Sequence, residues 1–255
     1  MRKPRATILP ISDEQLSRPE AKRDYNRALF AVVAPRYDKA TRGLSFRADT
    51  RWKRCLLDLL PDASQCSAAL DLACGTGDSA LLLAERYPTA AVTAMDLTEE
   101  MLVIARRRGS AAGRRSLRFL CGDMNDLPMP AESVDVVTGG YALRNAPDLQ
   151  QALFEVFRVL SPGGTAAFLD FAAPDGRVAR SVRIALLTVW GRIWGRLLHG
   201  NPHVYAYIAR SLRHYPSSSA LIALLGRIGF VEVQSRRLFG GFLAITWMKK
   251  PLEAG

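Results

Sequence analysis

A chain of 255 residues with 49% hydrophobic and 23% charged residues can bury a substantial core, and its balance is ordinary for a folded soluble protein. Its net charge of +11 is not ordinary and points to anionic partners: nucleic acid, an acidic membrane face or phosphate groups. Cys55, Cys66, Cys74 and Cys121 lack C-x-x-C spacing, so neither a zinc site nor a disulfide framework is indicated, and they read as reduced thiols of a cytoplasmic protein.

Residues 1–20 carry three prolines and many charges and read as a flexible basic arm without a signal-peptide core. From Ala21 to Leu60 the pattern is helical. Leu29, Val32 and Val33 share one side, and Trp52, Cys55, Leu56 and Leu59 repeat at helical spacing. Arg36-Tyr37-Asp38 and a turn-like segment around Gly43 lie between these helices. Ala68 to Ala73 is an apolar run that reads as a buried strand, broken at Gly75-Thr76-Gly77, and Ser79 to Tyr87 reads as a helix. Glycines there let the backbone bend sharply and approach a ligand. The following helix N-terminus has spare N–H groups and a positive dipole end. Together these predict a nucleotide-like pocket at the carboxyl end of the first strand.

Ala91 to Met95 is a second strand, ending at Asp96, and Thr98 is placed to cap the next helix. Leu117 to Cys121 and Val134 to Thr138 are the third and fourth strands. Pro147 opens a helix with an apolar stripe from Leu149 to Leu160, stopped by Pro162-Gly163-Gly164, and Thr165 to Phe171 is the fifth strand. This alternation predicts a parallel sheet covered on both faces. Ser181 to Leu198 is helical, with arginines among aliphatic residues and Trp190/Trp194, as in an interfacial amphipathic segment. Its uncharged run is too short to span a bilayer. A helix over Ser218 to Ile228 follows. Phe230 to Leu238 and Phe242 to Met248, joined by Gly240-Gly241, read as a hairpin that adds an antiparallel strand to one sheet edge.

As a dinucleotide fingerprint, Gly75-Thr76-Gly77-Asp78-Ser79-Ala80 is a weak signal. The carboxylates around it decide more. Asp71 lies inside the first strand, Asp96 with Leu97 ends the second, and Asp123 with Met124 follows the third. Asp96 is placed to accept from ribose hydroxyls and Asp123 from an adenine amino group, each bond worth roughly 1.5–3 kcal/mol. Like charges would repel a pyrophosphate, whereas a sulfonium cation is not troubled by them. The array resembles the class I S-adenosylmethionine-dependent methyltransferases. That resemblance implies an α/β, Rossmann-like, seven-stranded and mostly parallel sheet with a C-terminal β-hairpin strand, N-terminal helices, and a helical insertion before the last two strands. It implies S-adenosyl-L-methionine as cofactor, held by Asp71, Gly75, Thr76, Gly77, Asp96, Leu97, Asp123, Met124 and Gly140.

A narrower resemblance rests on Gly140-Tyr141-Ala142-Leu143-Arg144-Asn145-Ala146-Pro147-Asp148 and on Arg158-Val159-Leu160-Ser161-Pro162-Gly163-Gly164. Arg36-Tyr37-Asp38, Ser45-Phe46, Trp52-Lys53, Tyr205-Ala206-Tyr207-Ile208, Ser211 and Tyr215-Pro216 extend it. From about Phe30 to Met248 the chain is similar to the ubiquinone/menaquinone biosynthesis C-methyltransferase family. Membership implies methylation of a ring carbon of a lipophilic prenylated quinol or phenol. Arg144 and Asn145 would be catalytic, Arg144 stabilising the developing oxyanion and Asn145 positioning the substrate oxygen. Tyr37 and Tyr141 would join Arg144 in binding the acceptor. One domain over 21–255 is implied, divided into a helical cap (21–65), a cofactor-binding core (66–175), a helical substrate-side segment (176–229) and the terminal hairpin (230–248).

Relatives are commonly dimers, so a homodimer is an expectation. A lipid substrate makes transient contact of 181–198 with the inner face of the membrane a second one. No metal is expected, since His199, His203 and His214 lack ligand spacing. No nucleic-acid partner is expected either: the fourth strand is not followed by a Pro-Pro-aromatic run, and no cysteine adjoins a proline. Asp49, Thr41, Cys74, Gly140 and Arg210 depart from the family pattern, which leaves open the ring methylated. A paralogue acting on another phenol and a non-catalytic cofactor-binding scaffold are the competing readings.

Overall fold

The computed structural model describes residues 10–114 and 117–252. Four helical segments precede the sheet: α1 (Asp13–Leu16), α2 (Pro19–Val33), α3 (Tyr37–Leu44) and α4 (Asp49–Leu57). Then come β1 (Ala68–Leu72), α5 (Asp78–Arg86), β2 (Ala91–Asp96), α6 (Glu99–Ala111), β3 (Arg118–Cys121) and β4 (Val134–Gly140). The remainder is α7 (Leu149–Val159), β5 (Leu160–Phe171), α8 (Arg177–His199), α9 (His203–His214), α10 (Ser218–Ile228), β6 (Val231–Leu238) and β7 (Leu243–Lys249).

The strands form one seven-stranded sheet in the order β3-β2-β1-β4-β5-β7-β6. Neighbours from β3 to β5 are parallel, while β7 runs antiparallel to both β5 and β6. The hairpin therefore sits on the β5 edge with its second strand innermost. The strand order reverses between β1 and β4, so the carboxyl ends of β1, β2 and β4 open a crevice there.

Leu70, Val137 and Phe168 point to one face and pack with Leu153 and Val156 of α7 and Leu225 of α10. Ala69, Val136 and Ala167 point to the other and pack with Leu56 of α4 and Leu83 of α5. The alternation follows from the two-residue period of a strand buried on both sides. A third cluster joins Leu29 of α2 and Ala40 of α3 to Val204 and Tyr205 of α9, which roofs the crevice.

Two readings of the sequence need correction. Residues 10–20 are not an arm: Ser12 and Gln15 form a capping box on α1, and Ile11 and Leu16 are buried. Pro19, one of the three prolines counted toward the arm, occupies the first turn of α2, where its missing N–H costs nothing. Residues 1–9 of the expected arm lie outside the described residues, as do the last three residues of the expected domain. The helix expected over 181–198 runs from Arg177 to His199, and the helical segment expected over 176–229 resolves into α8, α9 and α10, with α9 carrying Tyr205 to Ser211 of the motif. Helices α8 and α9 approach closely: a Cβ on Gly191 would lie 2.5 Å from the Tyr205 carbonyl oxygen, and one on Gly195 2.5 Å from that of Asn201.

Candidate active site

Beyond β1 the backbone turns through left-handed conformations at Ala73 (φ 51°), Gly75 (φ 55°) and Gly77 (φ 89°). Asp96 at the end of β2 holds this turn. Its Oδ2 accepts the Gly75 N–H at 2.8 Å and its Oδ1 accepts the Thr98 N–H at 2.8 Å. Thr98 occupies the N-cap position of α6 without a side-chain cap bond, and Asp96 holds the backbone N–H of Thr98 itself. Burial raises the Asp96 carboxyl above its ordinary range.

A cavity opens over this turn, walled by Gly75, Asp96, Leu97, Asp123, Met124 and Gly140 and roofed by Asn26, Phe30 and Tyr37. Six of the nine expected cofactor residues thus meet on one cavity. Asp123 accepts the Asn125 N–H at 3.0 Å and lies 3.7 Å from Arg23. Asp71, Thr76 and Gly77 are not on the wall. Thr76 donates instead to Asp38 Oδ1 at 2.6 Å, while Arg108 donates to the Thr76 carbonyl at 3.0 Å and pairs with Asp78. Lys53 bridges Asp49 at 3.4 Å and Asp78 at 3.1 Å. These ion pairs tie α3 and α4 to the glycine turn.

Asp71 is buried behind the turn. Its Oδ1 accepts the Thr138 hydroxyl at 2.9 Å, and its Oδ2 is buried with no well-aligned hydrogen bond among the described residues. Burial pushes this carboxyl up to about 7, against the Thr138 hydrogen bond and the charge of Lys53 and together with the charge of Asp96. The folded protein therefore holds a proton that the unfolded chain gives up nearer 3.8, so cofactor-free stability falls as pH rises through that window. Asp71→Asn is expected to remove this slope, with wild-type Tm dropping relative to the variant between about pH 4 and 7. A cation in the adjoining cavity favours the ionised carboxyl, so cofactor binding near neutral pH should release a proton, readable by calorimetry in buffers of different ionisation enthalpy. Parallel Tm profiles and no proton release would contradict this.

A second, larger cavity adjoins the first and shares Phe30, Tyr37, Tyr141 and Asn145 with it. Its wall is mostly aliphatic and aromatic, and among the described residues no carboxylate, histidine or lysine lies on it and Arg144 is its single charge. The one-turn helix Leu143–Asn145 follows Tyr141, itself left-handed at φ 60°, and turns Arg144 inward. The Arg144 N–H donates to Asp170 Oδ2 at 2.9 Å, and its Nε lies 3.5 Å from Asp170 Oδ1. Its Nη1 donates to Ser211 Oγ, and the guanidinium carbon sits 5.4 Å from the centre of the Phe171 ring and 5.8 Å from that of Tyr207. Asn145 Nδ2 donates to the Tyr141 carbonyl at 2.8 Å, while Asn145 Oδ1 is buried without a partner. Burial raises the phenols of Tyr37 and Tyr141, so both stay neutral across the physiological range.

Asn26 and Asp170 were missed in the sequence. Asn26 Nδ2 donates to the Asn145 carbonyl at 2.7 Å, and its Oδ1 accepts the Tyr207 hydroxyl at 2.6 Å. Both residues carried a signal, a polar side chain on an otherwise apolar face: Asn26 with Leu29 and Val33, Asp170 between Leu169 and Phe171. Some departures from the family pattern find partners. Arg210 donates to the Ile11 carbonyl, and Asp49 accepts the Ser45 hydroxyl at 3.2 Å. A Cβ at Gly140 would meet Ser79 Oγ at 3.4 Å and Lys53 Cε at 3.9 Å, so the usual serine would fit.

The model of the ubiE/COQ5 methyltransferase family matches residues 18–250. The chain belongs to that family. It is 41% identical over 224 residues to a demethylmenaquinone methyltransferase of Thermus thermophilus, covering 88% of this chain and 100% of that one. It is 37% identical over 225 residues to a 2-phytyl-1,4-naphtoquinone methyltransferase of Thermosynechococcus vestitus, covering 88% and 98%. Among solved structures, a Thermotoga maritima S-adenosylmethionine-dependent methyltransferase superposes with a TM-score of 0.60 at 19% identity, covering 88% of this chain and 99% of that one. A phosphoethanolamine N-methyltransferase of Haemonchus contortus, solved with S-adenosylhomocysteine, gives 0.61 at 14% identity over 79% and 52%. The ubiE/COQ5 protein described here is a methyltransferase that uses S-adenosylmethionine. Its first cavity suits that cofactor chemically. Asp96 and Asp123 offer acceptors on the wall, Asp71 is a buried carboxyl behind it, and no Cβ intrudes at Gly75 or Gly140.

Proposed function

We propose that this enzyme methylates a ring carbon of a prenylated hydroquinone, with Asp96, Leu97, Asp123, Met124, Gly75 and Gly140 holding the cofactor and Asp71, Thr76 and Gly77 shaping its turn. The single observation that carries this is the junction of the two cavities at Tyr141 and Asn145, beside Arg144. Bound in the first cavity, S-adenosylmethionine supplies an activated methyl group. The apolar cavity takes the ring and the start of its tail.

An aryl carbon is a poor nucleophile until the neighbouring hydroxyl ionises. Arg144 stabilises the resulting oxyanion with a charge that cannot be titrated away, and Asn145 Oδ1, left unpaired, accepts from the ring hydroxyl and orients it. Because no carboxylate, histidine or lysine lies on the apolar cavity's wall among the described residues, the proton leaves to water rather than to a side chain. Tyr37 and Tyr141 contribute ring faces, not proton transfer. The names of the Thermus and Thermosynechococcus relatives support a naphthoquinol over a benzoquinol of the ubiquinone type.

Among the described residues no helix is long and apolar enough to cross a membrane. We place the enzyme in the cytoplasm, with 181–198 meeting the inner face of the membrane, and the family resemblance supports a homodimer. Incubation with a short-tail demethylmenaquinol and methyl-labelled cofactor tests the activity. The label is expected on a ring carbon; label on oxygen, or none, would contradict the reading.

A further inference from the structure

We propose that α8 and the aromatic mouth of the apolar cavity form one docking face for an anionic lipid bilayer, through which the acceptor passes into the site without crossing water. This rests on the quinol reading above and names the surface and the portal.

Helix α8 presents Val178, Val182, Leu186, Val189, Ile193 and Leu197 to solvent, between 47% and 79% exposed. Their spacing of three and four residues places them on one stripe, about 28 Å long at 1.5 Å per residue. The opposite side of the helix is already used, since Leu187, Gly191 and Gly195 are buried against the fold. A contiguous exposed apolar stripe of this length marks an interaction surface.

Charge selects the partner. Arg192 and Arg196 are exposed and border the stripe, so their stems lie along apolar surface while their heads reach outward. From Gly176 to Val231 the chain carries eight arginines and no acidic residue. That composition matches a layer of anionic headgroups. A second copy of this chain would instead bring two arginine borders together and cover the cavity mouth.

The stripe runs into that mouth. Leu186 belongs both to the stripe and to the cavity wall, and the Trp190 ring stacks on Phe46 with centroids 5.4 Å apart. Phe46 is 64% exposed, Phe239 is 46% exposed, and their rings lie 6.2 Å apart on the same wall. Both are left-handed at φ 51° and 49°, a strained backbone that tends to mark functional loops. Exposed Arg47 and Arg237 flank the two loop tips. Aromatic rings at a rim between apolar surface and arginines suit the interfacial zone of a bilayer.

Val182→Glu with Val189→Glu tests this in the full chain, because neither residue lines a cavity. Wild type is expected to float with vesicles containing phosphatidylglycerol at low salt and not with phosphatidylcholine alone. The double variant should lose that flotation and about tenfold or more of its turnover on a long-tail quinol in vesicles, while keeping turnover on a water-soluble short-tail quinol. Retained soluble turnover shows that the variant folds. Absent wild-type flotation, or a variant that floats as well as wild type, overturns the docking face. So does a variant that only changes from dimer to monomer in sedimentation with flotation intact. Failure of wild type on the soluble quinol with flotation present overturns the quinol reading and leaves the docking face standing.

Discussion

Asp170→Ala is expected to cost about 3–5 kcal/mol of stability and to lower turnover by about a hundredfold or more, with cofactor affinity unchanged. Asp170 Oδ2 accepts the Arg144 N–H and its Oδ1 accepts the Phe171 N–H at 2.7 Å, and both side chains of the ion pair are buried. Truncation leaves a buried guanidinium without its counter-charge and two backbone donors without acceptors. Arg144→Ala should cost less stability, because the stranded Asp170 carboxyl, already raised by burial, can take up a proton. A guanidinium has no such escape. On turnover the order reverses or levels, since Arg144 would act on the oxyanion directly. Urea unfolding, cofactor titration and single-turnover kinetics on the two variants check each arm. An Asp170→Ala protein as stable as wild type would contradict the account of this pair.

Gly191→Val is expected to separate acceptor chemistry from cofactor binding. Its Cβ would lie 2.5 Å from the Tyr205 carbonyl oxygen, 2.7 Å from its carbon and 2.9 Å from the Ala206 nitrogen, all backbone atoms that cannot rotate aside. The helices α8 and α9 must therefore move apart, at roughly 1–3 kcal/mol. Both helices wall the apolar cavity and neither reaches the cofactor cavity. Turnover should fall about tenfold or more at unchanged cofactor affinity, because misplacing the acceptor by about 1 Å is enough for such losses. Cofactor affinity falling in step with turnover would show the two cavities to be one mechanical unit.

The parts of this protein that could be read in the sequence are those whose chemistry is local. The apolar strand, the Gly75-Thr76-Gly77 turn and Asp96 lie within one strand-helix-strand unit, and their geometry follows from backbone rules. The hairpin was legible for the same reason. The pairings that build the acceptor side are not local: Asn26 meets Asn145 across 119 residues of chain and Tyr207 across 181. No periodicity marks such partners. For Asp71 the position was legible but its setting was not, since only the structure places one oxygen on Thr138 and buries the other. Periodicity also revealed amphipathicity around α8 without saying which side faces water. That side carries aliphatic residues because α9 already occupies the glycine-lined one.

The most direct test is a crystal structure of the enzyme with S-adenosylhomocysteine and a short-tail demethylmenaquinol. The account predicts the cofactor product over Asp96 and Gly75, the ring at Tyr141 with a hydroxyl held by Arg144 and Asn145 Oδ1, and the tail directed toward Phe46 and Phe239. A ring bound away from Arg144 and Asn145, or a tail leaving through the cofactor cavity, would contradict it.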